Sequence, residues 1–192
     1  IGLGNVGVGT GATVGKLNGP QFYTKGGCGA AGVSLDNGLK IEAVVAVNAV
    51  GDVINPQNQH IVAGTRQGDQ DGKQGTYADS FELLQQRAEK AAKNVAAQNT
   101  TIGAVITNAS LDKAQNTKVA QMAHNGLARC IRPVHTSMDG DTIFALATNE
   151  MPGDPSLIGA IAADVMTEAV LQAVTAAESL HDIPAARDLE TQ

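Results

Sequence analysis

The sequence predicts an α/β layered domain, and three observations carry that expectation. Lys40-Ile41-Glu42-Ala43-Val44-Val45-Ala46-Val47 is rich in β-branched residues and reads as a strand buried near its end. From Asp79 or Ser80 onward, Phe81, Leu84, Ala88, Ala91 and Val95 recur at the spacing of one helix face, to about Ala97. After Pro155, the residues Ile158, Ile161, Val165, Ala169 and Val174 mark a longer, more apolar helix. Strands and helices mixed along one chain with long connections are the pattern of layered α/β packing.

The remaining elements follow in order. Gly2 to Gly32 reads as glycine loops interrupted by short apolar pieces, and many of the 22 glycines crowd there. Such crowding implies close backbone approaches or positions needing φ > 0. Gly51 to Gly75 is polar throughout and reads as a long surface excursion. A strand is expected after Thr100 through Ile106. Ser110 is placed to cap a helix running past Leu127, with Leu111, Ala114, Val119, Met122, Ala123 and Leu127 inward. Thr142 to Ala147 reads as a short strand, and the residues from about His181 as a polar tail. No internal repeat or domain boundary is visible, so residues 1–192 are expected to form a single domain.

Composition narrows the function classes. A net charge of −6 without any Lys/Arg cluster argues against a nucleic-acid partner. With 3% aromatics and no Trp, stacking platforms for bases or sugars are not expected. Cys28 and Cys130 lack metal-like spacing and read as buried small apolar residues, which fits a reducing, cytoplasmic setting. No apolar run is read as membrane-spanning, and no signal peptide is read. The opening Ile1-Gly2-Leu3-Gly4 looks like mid-domain sequence, so a preceding segment is expected.

The chemistry-bearing motifs each have a plain alternative. Gly2-Leu3-Gly4-Asn5-Val6-Gly7 matches the dinucleotide fingerprint in letters, but that site needs a strand before it and a helix from its third glycine. Glycines continuing through Gly9, Gly11 and Gly15 disfavour such a helix. Gly11 to Leu17 falls short of a phosphate loop, because the spacing is one residue short and Leu17 stands where a Ser/Thr should bind magnesium. Lys16 is then either a solvated lysine on a glycine turn or an ammonium held near a reacting centre. Asn48, at the end of the first strand, either caps a turn or offers its amide to an oxyanion. Asp139 and Asp141 flank Gly140 in a tight turn, either as surface polar groups or as anchors for an ammonium. A calcium loop would need further oxygen ligands and a distal Glu, so no metal is expected. His135 lies upstream without a nucleophile-elbow motif, His124 sits in an amphipathic helix, and His60 and His181 lie in polar segments.

The most informative run is Gln98-Asn99-Thr100-Thr101-Ile102-Gly103-Ala104-Val105, where a helix gives way to an apolar strand. Cleavage of Asn99–Thr100 would free an α-amine on Thr100. A threonine hydroxyl is a weak nucleophile that its own α-amine can activate as general base.

Together these residues resemble the self-processing aminopeptidase/D-esterase family, which includes β-aminopeptidases and nylon-oligomer endohydrolases. The resemblance runs through Asn5 to Leu17 and Ala46-Val47-Asn48-Ala49-Val50-Gly51-Asp52. It is strongest from Asn99-Thr100-Thr101-Ile102-Gly103 to Thr107-Asn108-Ala109. It continues through Ala120 to Arg129, Ile131-Arg132-Pro133-Val134-His135-Thr136 and Asp139-Gly140-Asp141-Thr142, in collinear order.

The resemblance implies an αββα sandwich like that of N-terminal nucleophile hydrolases, differently connected. It implies self-cleavage into an α-subunit portion ending at residue 99 and a β-subunit portion over 100–192. The resulting heterodimers would assemble further into homo-oligomers. Thr100 is then the nucleophile, Asn99–Thr100 the processing bond, Asn48 an active-site amide, and Lys16, Asp139 and Asp141 the groups around the nucleophile. The Asp-Gly-Asp turn leans towards the nylon-oligomer branch. Family members carry a long segment ahead of the Gly-Asn-Val-Gly block, and since Ile1 stands almost at that block, the segment is expected to lie outside these 192 residues.

The expected activity is hydrolysis of small peptides or amides, with amino-terminal peptides, β-peptides and ω-amino acid oligomers as substrate classes, and without a cofactor. The competing expectations are a non-catalytic binding or scaffold member of the same fold and a dinucleotide-dependent oxidoreductase.

Overall fold

The computed structural model describes residues 1–68, 76–89 and 99–189. In chain order these form β1 (Thr13–Val14), β2 (Thr24–Lys25), β3 (Gly27–Ser34), β4 (Lys40–Val47), β5 (Asp52–Ile54), β6 (Ile61–Ala63), α1 (Ser80–Glu89), β7 (Ile102–Ser110), α2 (Lys113–Cys130), β8 (Ile131–Arg132), β9 (Thr142–Pro152) and α3 (Pro155–Thr175). The fold is mixed α/β, as the sequence predicts.

The main sheet has the order β3-β4-β7-β9. The first three strands pair antiparallel, and β9 lies parallel to β7, with α2 in the crossover between them. β4 matches its expected span residue for residue. Ile41, Ala43 and Val45 point to the inner face, where Val105, Ile143 and the helices α2 and α3 complete the core. Strict alternation along β7, from exposed Ile102 to buried Ala109, is the period-two signature of a strand with one covered face. On the opposite face Ile102, Phe144 and Leu146 stand 46%, 59% and 53% exposed, an apolar sheet face uncovered by the described residues.

Several expectations are corrected. Gly27–Ser34 is a full strand, because its small residues let α3 lie against the sheet. A Cβ on Gly29 would fall 1.9 Å from the Ala169 carbonyl oxygen. Gly29→Val is therefore expected to lower the melting temperature sharply, by roughly 3 kcal/mol or more of stability, as overpacking against backbone does. A thermal melt matching wild type would contradict this close approach.

The stretch Gly51 to Gly75 contains β5 and β6, paired antiparallel, rather than a continuous surface loop; 69–75 lie outside the described residues. β7 runs through Ser110, so the cap of α2 is Asp112, whose side chain accepts from the Gln115 N–H while Gln115 reaches back to the Asp112 N–H. Asp79 caps α1, accepting from the Phe81 and Glu82 N–H groups. Phe81 and Ala88 of that helix are exposed, so the described part of α1 does not bury the expected face. Its proposed continuation through Ala91, Val95 and Ala97 lies outside the described residues, as does Gln98.

β9 extends to Pro152, five residues past the expected Ala147. The segment after His181 is not a tail: Ala185 is buried and Pro184 accepts from the Lys25 N–H. α3 is long and apolar enough to cross a membrane, contrary to the sequence reading, but it is a core helix that buries most of its length in the domain. The opening glycine run forms an isolated bridge to Cys28 and a 3-10 turn over Gly7–Gly9. Among the described residues the third glycine of the fingerprint, Gly7, opens a 3-10 turn instead of the α-helix that a dinucleotide site requires, which argues against the oxidoreductase reading. Cys28 and Cys130 are buried free thiols.

Candidate active site

Sheet order explains why residues far apart in sequence meet. β4 and β7 pair through Ala46 and Ile102, and β7 and β9 pair through Ile102 and Thr142. Two residues further on, the C-terminal end of β4 and the approaches to β7 and β9 bring Asn48, Thr100 and Gly140 side by side. The ladder continues there: the Thr100 N–H donates to the Asn48 carbonyl at 3.1 Å, and the Gly140 N–H to the Asn99 carbonyl at 2.8 Å. The Thr142 N–H donates to the Thr101 carbonyl at 3.0 Å. Lys16 follows β1 and is tied to the same corner by its N–H, which donates to the Val50 carbonyl at 2.8 Å.

The Thr100 hydroxyl donates to the carbonyl oxygen of its own predecessor, Asn99, at 2.5 Å. Asn99 is buried, and its side-chain amide donates to the Met138 carbonyl at 3.2 Å. The Lys16 ammonium donates to Asn48 Oδ1 at 2.6 Å, and the Thr13 N–H to the same oxygen at 3.2 Å. Both partners are pure donors, so chemistry fixes which way the Asn48 amide faces and leaves Nδ2 as its donor to offer.

Asp139 and Asp141 are fixed rather than free on the turn. Asp139 accepts from the Thr136 hydroxyl at 2.6 Å, the Thr136 N–H at 3.1 Å and the Val50 N–H at 3.3 Å. Asp141 accepts from the Thr101 N–H at 2.8 Å and meets His135 Nδ1 at 2.9 Å. The ring of His124 packs edge-on against His135, with centroids 4.9 Å apart. Burial lowers the His124 pKa, with His135 adding to the shift and Asp141 opposing it.

Lys16 is 6% exposed, and burial pulls its pKa from 10.5 to about 8 against the opposing pull of the Asp139 carboxylate. Between those values the unfolded chain holds a proton on Lys16 that the folded chain has lost, so this group makes stability rise with pH across that window. Relative to Lys16→Met, wild type should gain up to ~3 kcal/mol in unfolding free energy over that range. A difference that stays flat with pH would contradict a lysine held in so dry a site.

The structure thus gathers all the residues the sequence singles out: Lys16, Asn48, Asn99, Thr100, Asp139 and Asp141. It adds Thr13, Thr101, Thr136, His135 and Gly140. Of these, only His135 had a visible signal, its place just upstream of the Asp-Gly-Asp turn. The others act through backbone N–H groups or a turn hydroxyl, which no spacing rule marks. Among the described residues no group of three or more His, Cys, Asp or Glu side chains is placed to hold a metal ion.

Comparison with known proteins shows the family. The chain is 37% identical over 210 residues to an uncharacterized aminopeptidase of Mycobacterium leprae (strain TN), covering 96% of this chain and 52% of that protein. It is 34% identical over 185 residues to the 6-aminohexanoate-oligomer endohydrolase of Paenarthrobacter ureafaciens, covering 88% of this chain and 50% of that enzyme. The chain therefore spans about half the length of the curated relatives it matches. Among solved structures, the L-aminopeptidase D-Ala-esterase/amidase of Ochrobactrum anthropi, described as a variant of the Ntn hydrolase fold, superposes with a TM-score of 0.60 at 22% identity, over 97% of this chain and 50% of that one. That likeness shows a shared fold. The model of Peptidase family S58 matches residues 1–186, and the chain belongs to that family.

Proposed function

We propose that this chain is the nucleophile-bearing part of a self-cleaving amide hydrolase, with Thr100 as the N-terminal nucleophile. The observation that carries the reading is the Thr100 hydroxyl poised 2.5 Å from the carbonyl oxygen of Asn99. Attack by Oγ1 on the Asn99 carbonyl carbon converts the amide into an ester, and the hydroxyl proton ends on the released Thr100 nitrogen. Water then hydrolyses the ester, which frees both the Asn99 carboxylate and the Thr100 hydroxyl. The new α-amine afterwards serves as base for the same hydroxyl during turnover.

Asn48 supports that chemistry twice. Its backbone carbonyl holds the Thr100 nitrogen, and its side-chain amide, oriented by Lys16, offers Nδ2 to the oxyanion of a substrate amide. Lys16 and Asp139 place opposite charges around the nucleophile, while Asp141 fixes the following peptide through the Thr101 N–H. After cleavage, 1–99 and 100–192 remain paired as an α/β heterodimer, because β4 and β7 lie side by side across the cut. These heterodimers oligomerise further, in the cytoplasm.

The substrate class is a small amide with a free amino group, and ω-amino acid oligomers head the candidates because of the Asp-Gly-Asp turn and the likeness to the Paenarthrobacter ureafaciens enzyme. The test is incubation of the full-length, cleaved protein with 6-aminohexanoate oligomers, β-dipeptides and amino-terminal peptide amides, with release of free amine measured. Turnover of at least one class is expected. Failure of cleaved protein on every class would favour the non-catalytic alternative.

A further inference from the structure

The self-cleaving reading leaves one requirement unmet: a donor for the oxyanion that forms on Asn99 itself. The Asn48 Nδ2 group, oriented by the Lys16 and Thr13 bonds to Oδ1, serves the oxyanion of a substrate amide in that reading. The Asn99 carbonyl oxygen already has a donor of another kind. The Gly140 N–H reaches it at 2.8 Å, inside the range where a preorganised donor stabilises a developing negative charge.

We propose that the backbone N–H of Gly140 is the oxyanion donor for cleavage of the Asn99–Thr100 bond, and that Asp139 and Asp141 are the positioning residues that aim it. The inference rests on the self-cleaving reading and assigns the flanking carboxylates a further task. Asp139 is clamped by the Thr136 N–H and hydroxyl and by the Val50 N–H, and Asp141 by the Thr101 N–H and His135. The peptide between two carboxylates so held cannot rotate its N–H away from Asn99 without breaking several of these bonds.

The residue between them must also be small. A Cβ at position 140 would sit 2.9 Å from Thr100 Oγ1 and crowd the attacking hydroxyl. An acyl carbon is therefore approached by the nucleophile while its oxygen is held by Gly140. As the carbonyl becomes tetrahedral, charge grows on an oxygen that already accepts hydrogen bonds from Thr100 and Gly140. The donor is a main-chain group, so no side-chain substitution removes it cleanly, and a backbone change is the appropriate probe.

The experiment replaces Gly140 with glycolic acid by nonsense suppression in the full-length chain, which turns the Asp139–Gly140 amide into an ester and deletes only that N–H. Folding is checked by circular dichroism and cleavage by intact mass against time. The expected result is a folded chain that cuts ~10²–10³-fold more slowly than the unmodified one. A folded ester chain that cuts at the unmodified rate overturns the assignment while leaving self-cleavage standing. An unmodified chain that never cuts removes both.

A second measurement holds even where the ester chain does not fold. In Thr100→Ala, which keeps the Asn99 carbonyl but lacks the hydroxyl, the Gly140 amide proton should exchange with solvent at least ~100-fold more slowly than in a free peptide. Exchange at the free-peptide rate would show that the N–H is not held on Asn99 and would overturn the proposal.

Discussion

Thr100→Ala is expected to leave the chain uncut and the amide hydrolase activity abolished, with the fold intact. In the proposed mechanism one hydroxyl performs both the cleavage of Asn99–Thr100 and the attack on substrate. Its removal eliminates the intermediate in each case, and losses on the order of 10⁴–10⁶-fold follow when a covalent nucleophile is deleted. Little else changes, since Thr100 is only half-buried and its N–H bond to the Asn48 carbonyl does not involve the side chain. Thr100→Ser keeps the hydroxyl and should still cut. Mass spectrometry and amine release on the pair of variants check this: an alanine variant that is cut at residue 99 and active would exclude Thr100 as nucleophile.

Asn48→Ala has the next largest expected effect, and it separates two roles of one side chain. Loss of Nδ2 from the oxyanion site should reduce turnover by ~10²–10³-fold, the equivalent of about 3–4 kcal/mol of transition-state stabilisation. Loss of Oδ1 strips the buried Lys16 ammonium of its 2.6 Å acceptor and should cost stability as well, roughly 1–3 kcal/mol. Asn48→Asp distinguishes the two, because a carboxylate restores an acceptor to Lys16 but supplies no N–H. It should melt close to wild type and remain slow. An aspartate variant with wild-type turnover would show that Asn48 acts through Lys16 alone.

The legible parts of the fold were those in which local pattern and tertiary packing agree. β4 is β-branched along its buried half and lands on its expected residues, and the apolar stripe after Pro155 gives α3. β3 was not legible, since Gly27-Cys28-Gly29-Ala30-Ala31-Gly32 carries little strand preference and is selected for closeness to α3. The sequence puts the cap of α2 at Ser110, whereas the structure caps it with Asp112. Only the length of β7, set by its pairing with β9, decides between them.

The site was legible in part. Lys16, Asn48, Thr100 and the Asp139/Asp141 pair stood out through family resemblance, each with an ordinary alternative on its own. Their convergence depends on the strand order β4-β7-β9, a non-local property that no window of sequence contains. The backbone donors of Thr13, Thr101 and Gly140 could not be read at all, because every residue but proline has an N–H and only the fold says which one is aimed.

Self-cleavage at Asn99–Thr100 is read out by intact mass with N-terminal sequencing of the full-length protein after prolonged incubation. Two fragments are expected, the second beginning with Thr100. A correctly folded full-length chain that stays whole would contradict self-cleavage.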